Sequence, residues 1–350
     1  MSDLNEALSL HRLGKLDEAE RIYLNLLKKD KYNAAILQLI GTLNFQIRKY
    51  EIAKEYLLKS LNEDSFNPVT LNNLGLLYKK IDNIEESIKY FDTNIEKNNF
   101  LSSWVNKSNI LLEQKKYDEG LKFSKEALNK FPKDKKLKNN LGIFYFECGY
   151  QNESLNIYKQ FNEEGLHFVD SYFNYSNILV KMNNFPEALK VVNNLLFIDP
   201  KNQNALRQRA YIYKEILEFD KAENDLLFLI QLDKLNFLSN KVLIEFYIEN
   251  KKYQKALAYC DFMIDQNIEV NFFRTKKILC KIHLGSWSNF KNDFDILNYG
   301  LNPNNLSLNP LSLKYLNDDA NFHKKFTQIY WDQKPKNNSL SKIQKENNDK

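Results

Sequence analysis

The residues best placed to do chemistry are a column of primary amides, Asn73, Asn106, Asn140 and Asn174 followed by Gln208, recurring once every 33 or 34 residues. A side-chain amide presents a donor and an acceptor together, the same pair that an extended peptide backbone offers. One such group per repeat along a groove would hold a chain without reading its side chains, so selectivity would fall to neighbouring residues. Lys79, Lys80, Lys181 and Lys214, in the same segments, would help to hold acidic ligands. The alternative is that amides and lysines are simply solvated, since asparagine is abundant here and lysine is seldom buried. Leu39 and Val242 take the column in the second and eighth repeats, which confines the run to the middle of the chain.

Other chemistry is sparse. The sequence has no Gly-rich phosphate loop, nucleophile elbow or paired-histidine metal motif. Its four histidines, His11, His167, His283 and His323, lie in different repeats. Cys280 and His283 are three apart and fit one helix face, but two ligands do not make a zinc site. Asp318 and Asp319 with nearby His323 read as a helix cap beside a surface histidine, since no nucleophile accompanies them. Neither a catalytic residue, a metal site nor a cofactor is expected.

Charge narrows the partners. Fifty Lys and Arg stand against 45 Asp and Glu, a net of +5, so the surface is mixed and nucleic acid is not expected to be its main partner. The amino terminus lacks the basic segment and apolar run of a secretory signal, and no apolar run reaches the ~18 residues of a membrane span. Three cysteines form no even-numbered framework, which suits a reducing compartment. The expectation is a cytoplasmic protein without a membrane partner.

The elements that must position the amides follow from a period of 33 or 34 residues. One column reads Leu16, Tyr50, Ile84, Tyr117, Gln151, Phe185, Phe219, Tyr253 and Trp287; three residues later stand Ala19, Ala53, Ser87, Gly120, Ser154, Ala188, Ala222 and Ala256, until Phe290 breaks the run. Each period holds two apolar stripes at helical spacing, such as Leu71, Leu74, Leu77 and Tyr78, then Ile84, Ile88, Phe91 and Ile95. The short break at Asp82-Asn83 makes the two helices antiparallel, and each pair must stack on the next to bury its stripe. The first helix carries a second small column, Ala7, Gly41, Gly75, Ser108, Gly142, Ser176 and Ala210. Glycine within a helix costs about 1 kcal/mol against alanine, so its recurrence implies close approach of a partner helix. Ile244 departs from that column, and looser or rearranged packing is expected there. Pro186 falls in a first turn, where proline is tolerated.

These columns resemble the tetratricopeptide repeat over roughly residues 1–270. The resemblance implies an all-α, right-handed α–α superhelix of about eight helix pairs, with a degenerate ninth and a C-terminal helix. Repeats would occupy 1–270, a degenerate repeat or cap 271–300, a loop and amphipathic helix 301–333, and a disordered polar tail 334–350. A narrower resemblance is to the amino-terminal part of the O-linked N-acetylglucosamine transferases and their SPINDLY-like bacterial relatives. In that family asparagines on the inner surface of the superhelix hold the substrate backbone, and Asn73, Asn106, Asn140 and Asn174 are the matching positions. Trp287-Ser288-Asn289-Phe290, Asn309-Pro310-Leu311, Asp318-Asp319 and Gln328-Ile329-Tyr330 follow the order of that family's post-repeat segment. Leu311 replaces an aromatic residue, and none of the family's sugar-nucleotide residues can be placed.

The expected function is non-catalytic binding of protein or peptide ligands in a concave groove, as a scaffold or adaptor. One alternative is the substrate-recognition arm of such a glycosyltransferase, its catalytic half lost or carried by a separate subunit. Another is an assembly factor that binds through its outer helices.

Overall fold

The computed structural model describes residues 2–163 and 169–286, which are helical throughout apart from short turns. Seventeen α-helices occur among them, and two fall in each of the eight sequence periods. They run α1 Ser2–Arg12, α2 Leu16–Lys29, α3 Ala34–Gln46, α4 Tyr50–Glu63, α5 Pro68–Lys80, α6 Ile84–Asn98, α7 Leu101–Glu113, α8 Tyr117–Lys130 and α9 Lys135–Glu147. There follow α10 Gln151–Glu163, α11 Val169–Lys181, α12 Phe185–Ile198, α13 Gln203–Glu215, α14 Phe219–Leu232, α15 Phe237–Glu249, α16 Tyr253–Asp265 and α17 Val270–His283. The all-α array of helix pairs is thus as expected. The chain divides into two compact units at Ile178–Leu179, within α11.

Asparagine does much of the local work of starting these helices. Asn33, Asn67, Asn202 and Asn236 cap α3, α5, α13 and α15, each side chain accepting from a backbone N–H in the first turn, and Asp134 does the same for α9. Asn33, Asn67 and Asn202 are themselves steadied by Asp30, Asp64 and Asp199 three residues earlier, at 3.0–3.1 Å. Asn83 and Asn184 cap the second helices α6 and α12. Pro68 and Pro186 stand in first turns, where no intrahelical donor is lost.

Each turn inside a pair is closed by one residue with positive φ. Gly14, Gly149 and Gly285 hold that place at +77°, +87° and +64°, but Arg48, Asp82, Lys115, Asn183, Leu217 and Lys251 hold it in the other repeats. A side chain there opposes the left-handed backbone.

From α1 to α10 each helix packs on the next in chain order, and first helices also touch across repeats, α3 with α5, α5 with α7 and α7 with α9. The first-helix small column sets the spacing of each pair. A Cβ added at Gly41 would lie 2.7 Å from the Leu57 side chain, at Gly75 2.5 Å from the Phe91 ring, and at Gly142 2.8 Å from the Tyr158 ring. The facing residue is always sixteen positions on, as Ser108 facing Ser124 at 3.2 Å confirms. Hydroxyls complete the seam: Ser87 donates to the Gly75 carbonyl and Ser154 to the Gly142 carbonyl, both at 2.7 Å. The expectation of close helix approach at these glycines therefore holds, and large side chains of the second helix use the space.

In the second unit the seventh repeat keeps the order of sizes, Ala210 with Leu226 sixteen residues on, and the eighth exchanges it. Ile244 is fully buried, and the position sixteen residues on is Cys260, also fully buried. At these two register positions the eighth repeat thus carries the bulkier residue on the first helix and the smaller one on the second. Leu226, Leu229, Met263 and Phe273 of the same unit are also fully buried.

Candidate functional site: amides on the first helices

The amides lie two residues before the small column. Two residues turn an α-helix through roughly 200°, so each amide leaves its helix on the side away from the contact with its own second helix. Asn73, Asn106 and Asn174 are half-buried there, and Asn140 is only 5% exposed.

Each amide N–H reaches the first helix of the preceding repeat. Asn73 Nδ2 donates to Thr42 Oγ1 at 2.7 Å, Asn106 Nδ2 to Asn72 Oδ1 at 3.0 Å, and Asn174 Nδ2 to Asn139 Oδ1 at 3.2 Å. Asn140 Nδ2 donates twice, to Ser108 Oγ at 3.1 Å and Asn109 Oδ1 at 2.7 Å. Amide orientation is inferred from such networks, and around Asn73 the network decides it. The Thr42 hydroxyl already donates to the Gln38 carbonyl at 2.8 Å, so toward Asn73 it can only accept.

The sequence reading offered both halves of each amide to a ligand; the geometry commits the N–H half to rungs between neighbouring repeats. What faces outward at Asn73, Asn106 and Asn174 is an acceptor. Asn140 is closed off as a rung. The partners Thr42, Asn72, Asn109 and Asn139 were not singled out in the sequence, although each is a polar residue one repeat upstream on a first helix, and that spacing was there to be read.

Charged residues form the corresponding ties in the second unit. Gln208 is half-buried on α13 between two arginines. Arg209 grips Asp225 with two bonds, Nε to Oδ2 at 2.8 Å and Nη2 to Oδ1 at 2.7 Å, and gives Nη1 to Asn193. Lys214 pairs with Glu249 at 3.0 Å, one repeat further on. In the first unit Lys79 pairs in the same way with Glu113 at 2.7 Å. Both lysines are thus engaged within the chain. Lys80 is exposed.

A tighter cluster surrounds Glu223 on α14, which accepts from Tyr247 at 3.0 Å and from Lys252 and Lys255 at 2.6 Å each. Burial opposes its charge, but the two ammonium groups and the phenol outweigh it and hold the carboxyl down to about 2.

The cysteines are poor nucleophiles. Burial raises the Cys148 thiol, which also faces Asp118, and raises Cys280 to about 11. Cys260 is pushed up by burial too. His283 stacks on Tyr253 with ring centroids 4.4 Å apart, while Cys280 is fully buried. Among the described residues no group of three or more His, Cys, Asp or Glu could hold a metal ion, and no helix is long and apolar enough to cross a membrane. His167, Trp287–Phe290, Asn309–Leu311, Asp318, Asp319, His323 and Gln328–Tyr330 lie outside the described residues.

The profile of the tetratricopeptide repeat matches residues 69–95, from the first turn of α5 to Ile95 in α6. With the seam, the turn and the capping residues recurring at the same period, the described helices take the fold of a tetratricopeptide-repeat array. Among solved structures the chain is similar to a tetratricopeptide repeat protein from Parabacteroides merdae ATCC 43184, at 16% identity and a TM-score of 0.57, over 69% of this chain and 96% of that one. It is similar to yeast Tom70 at 15% identity and a TM-score of 0.56, over 82% of this chain and 60% of that one. A third is the APC/C hetero-tetramer Cut9–Hcn1, at 14% identity and a TM-score of 0.55, over 69% of this chain and 48% of that one. The chain spans less than two thirds of the last two, and at such identities the likeness is one of fold. No curated protein matches the sequence.

Proposed function

We propose that the chain is a non-catalytic scaffold or adaptor that holds extended segments of other proteins along its first helices. The observation that carries this is the division of labour within each amide. The N–H group of Asn73, Asn106 and Asn174 is tied to the preceding repeat, which locks the side chain and leaves its carbonyl oxygen as an acceptor, one repeat apart at Asn73 and Asn106 and two repeats apart at Asn106 and Asn174. Backbone N–H groups of a bound segment are the natural donors. Acceptors already held in place lower the ordering cost of capture, and each bond contributes about 0.5–1.5 kcal/mol net. Gln208 is the corresponding amide of α13. A partner protein is in keeping with the assembly in which Cut9 is found, a hetero-tetramer with Hcn1.

The test is a selection of 12-residue peptides from a display library on the protein, followed by N-methylation of each selected peptide's backbone, one position at a time. Loss of binding at spaced positions, and loss in the Asn73→Ala/Asn106→Ala/Asn174→Ala variant, is expected. Thr42→Val, which removes a rung and leaves the Asn73 acceptor present but unlocked, should weaken binding less than the triple variant does. Undiminished binding by the triple variant would sink the amide reading and leave the outer helices as the interaction surface.

A narrower version makes the chain the substrate-recognition arm of an O-linked N-acetylglucosamine transferase-like enzyme whose catalytic half is on a separate subunit. It rests on the asparagines and on residues 287–330. A glycosyltransferase recovered with the protein from its own host is the expected result, and turnover of a nucleotide sugar by the isolated chain excludes it.

A further inference from the structure

A rung between two side-chain amides leaves a group over on each side. The amide that gives its N–H keeps a carbonyl oxygen, and the one that receives it keeps an N–H2 group. On α5 and α7 the receivers are Asn72, which takes the Asn106 N–H at 3.0 Å, and Asn109, which takes that of Asn140 at 2.7 Å. Neighbouring bonds fix which half of Asn72 is which. Asn94 Nδ2 donates to the Pro68 carbonyl and to Ser103 Oγ, both at 2.8 Å, so the Ser103 hydroxyl keeps its hydrogen for Asn72 Oδ1, 3.5 Å away. The Asn72 oxygen therefore serves the rung and Ser103, and its N–H2 group is the half left over.

Neither Asn72 Nδ2 nor Asn109 Nδ2 has an acceptor among the described residues. Neither is sealed off: the side-chain atoms there that lack both a partner and accessible surface are Asn44 Oδ1, Arg207 Nη1 and Asn240 Oδ1. Asn72 adjoins Asn73 on α5, Asn109 lies one turn after Asn106 on the same face of α7, and the two helices are in contact. Two acceptors, Asn73 and Asn106, and two donors, Asn72 and Asn109, thus stand on neighbouring first helices.

We propose that Asn72 and Asn109 are the donor half of the peptide site on α5 and α7, receiving backbone carbonyl groups of the segment whose N–H groups go to Asn73 and Asn106. An extended residue turns its N–H and its C=O to the same edge, as the exchange of both bonds between facing residues of an antiparallel ladder requires. A surface of acceptors alone would therefore cover carbonyl groups without meeting them, at the cost of an unmade bond. The inference rests on the scaffold reading and adds the second backbone group that the site recognises, together with the residues that recognise it.

A second series of the display-selected 12-residue peptides tests it. One backbone C=O at a time becomes C=S, a weaker acceptor, and binding is measured by fluorescence anisotropy. At one or two positions the thioamide should weaken binding about three- to tenfold. Asn72→Asp/Asn109→Asp keeps an oxygen for each rung and removes the outward N–H2. With its thermal melting checked against wild type, this variant should bind unmodified peptide about tenfold more weakly and lose the sensitivity to C=S. N-methyl sensitivity without thioamide sensitivity in the wild type overturns the donor half, leaves the scaffold reading standing, and needs no variant to fold. Thioamide sensitivity of full size in the double variant overturns the assignment to Asn72 and Asn109. Indifference to both series, or failure to select any peptide, removes the scaffold reading and the donor half together.

Discussion

The two compact units solve the same two problems with a different balance of chemistry. In the first, a small first-helix residue receives a large second-helix one, as Gly75 does Phe91, and neutral amides tie the repeats beside the ion pairs Lys79–Glu113 and Lys107–Asp92. In the second, the eighth repeat reverses the sizes with Ile244 and Cys260 while the seventh keeps them with Ala210 and Leu226, and the ties from the seventh repeat to the eighth are ionic, through Lys214–Glu249 and the Glu223 cluster. Volume and polarity at a given register are thus exchangeable, provided that the facing residue changes too. Neutral ties can be left half-used, with a carbonyl facing water. A buried charge must be matched, as Glu223 is by Lys252 and Lys255.

Breaking the size exchange should have the largest effect. Ile244→Ala removes a fully buried side chain and is expected to cost about 2–5 kcal/mol, read as a lowered urea midpoint. If Ile244 and Cys260 share one space, Cys260→Leu on that background returns part of the loss, although Cys260→Leu alone destabilises by overpacking, about 1–3 kcal/mol. Strict additivity of the two changes would show that the register does not hold in this repeat.

Acid should separate the neutral ties from the ionic ones. The folded-state pKa of Glu223 is held down to about 2 from an ordinary 4.5. A depressed carboxyl stabilises the fold above its unfolded pKa, and that contribution is lost as pH falls through the folded one. The loss therefore falls between about pH 4.5 and 2, and is on the order of 3 kcal/mol. Glu223→Gln should flatten the pH dependence of the urea midpoint in that window, and an unchanged slope would mean that the cluster is not formed. The rung Asn73–Thr42, having no titratable group, should be indifferent to the same titration.

The fold was legible because two columns of small residues and one of large ones repeat at a fixed period, and helix stacking leaves few other uses for that pattern. Glycine at 41, 75 and 142 told of close approach directly. Asparagine was harder to read, because one residue type does three jobs here: it caps helices at Asn33 and Asn67, bridges repeats at Asn106 and Asn140, and presents an outward acceptor at Asn73. Only the first follows from position relative to a helix start. The other two depend on what a residue about one repeat away offers in return. The exchange at Ile244 looked like a defect for the same reason, since the compensating small residue is sixteen positions off and falls in a different column.

Smaller effects probe the rungs and turns. Thr42→Val deletes the acceptor of both Asn73 Nδ2 and Gln38 Nε2, and the half-buried position lets water replace it in part. About 0.5–1.5 kcal/mol should be lost, with no dependence on salt up to 1 M in urea melts. A salt-dependent loss would show that the tie between these repeats is electrostatic, and the contrast with the second unit would fall.

The last prediction is a gain. Leu217 holds the left-handed place in the turn between α13 and α14 at φ +64° and is 73% exposed, so its side chain adds little packing to offset the backbone conformation. Gly14, Gly149 and Gly285 occupy the equivalent place without that conflict. Leu217→Gly relieves about 1–2 kcal/mol of left-handed strain and gives back some in unfolded-state entropy, roughly 0.5–1 kcal/mol. The net expectation is a rise of about 0.5–1 kcal/mol in stability. Leu217→Ala tests the cause, since it removes the same exposed side chain but keeps the Cβ that opposes the turn, and should leave the urea midpoint where it was. If alanine stabilises as much as glycine does, the gain comes from removing exposed apolar surface, and strain is not what distinguishes this turn from those closed by glycine.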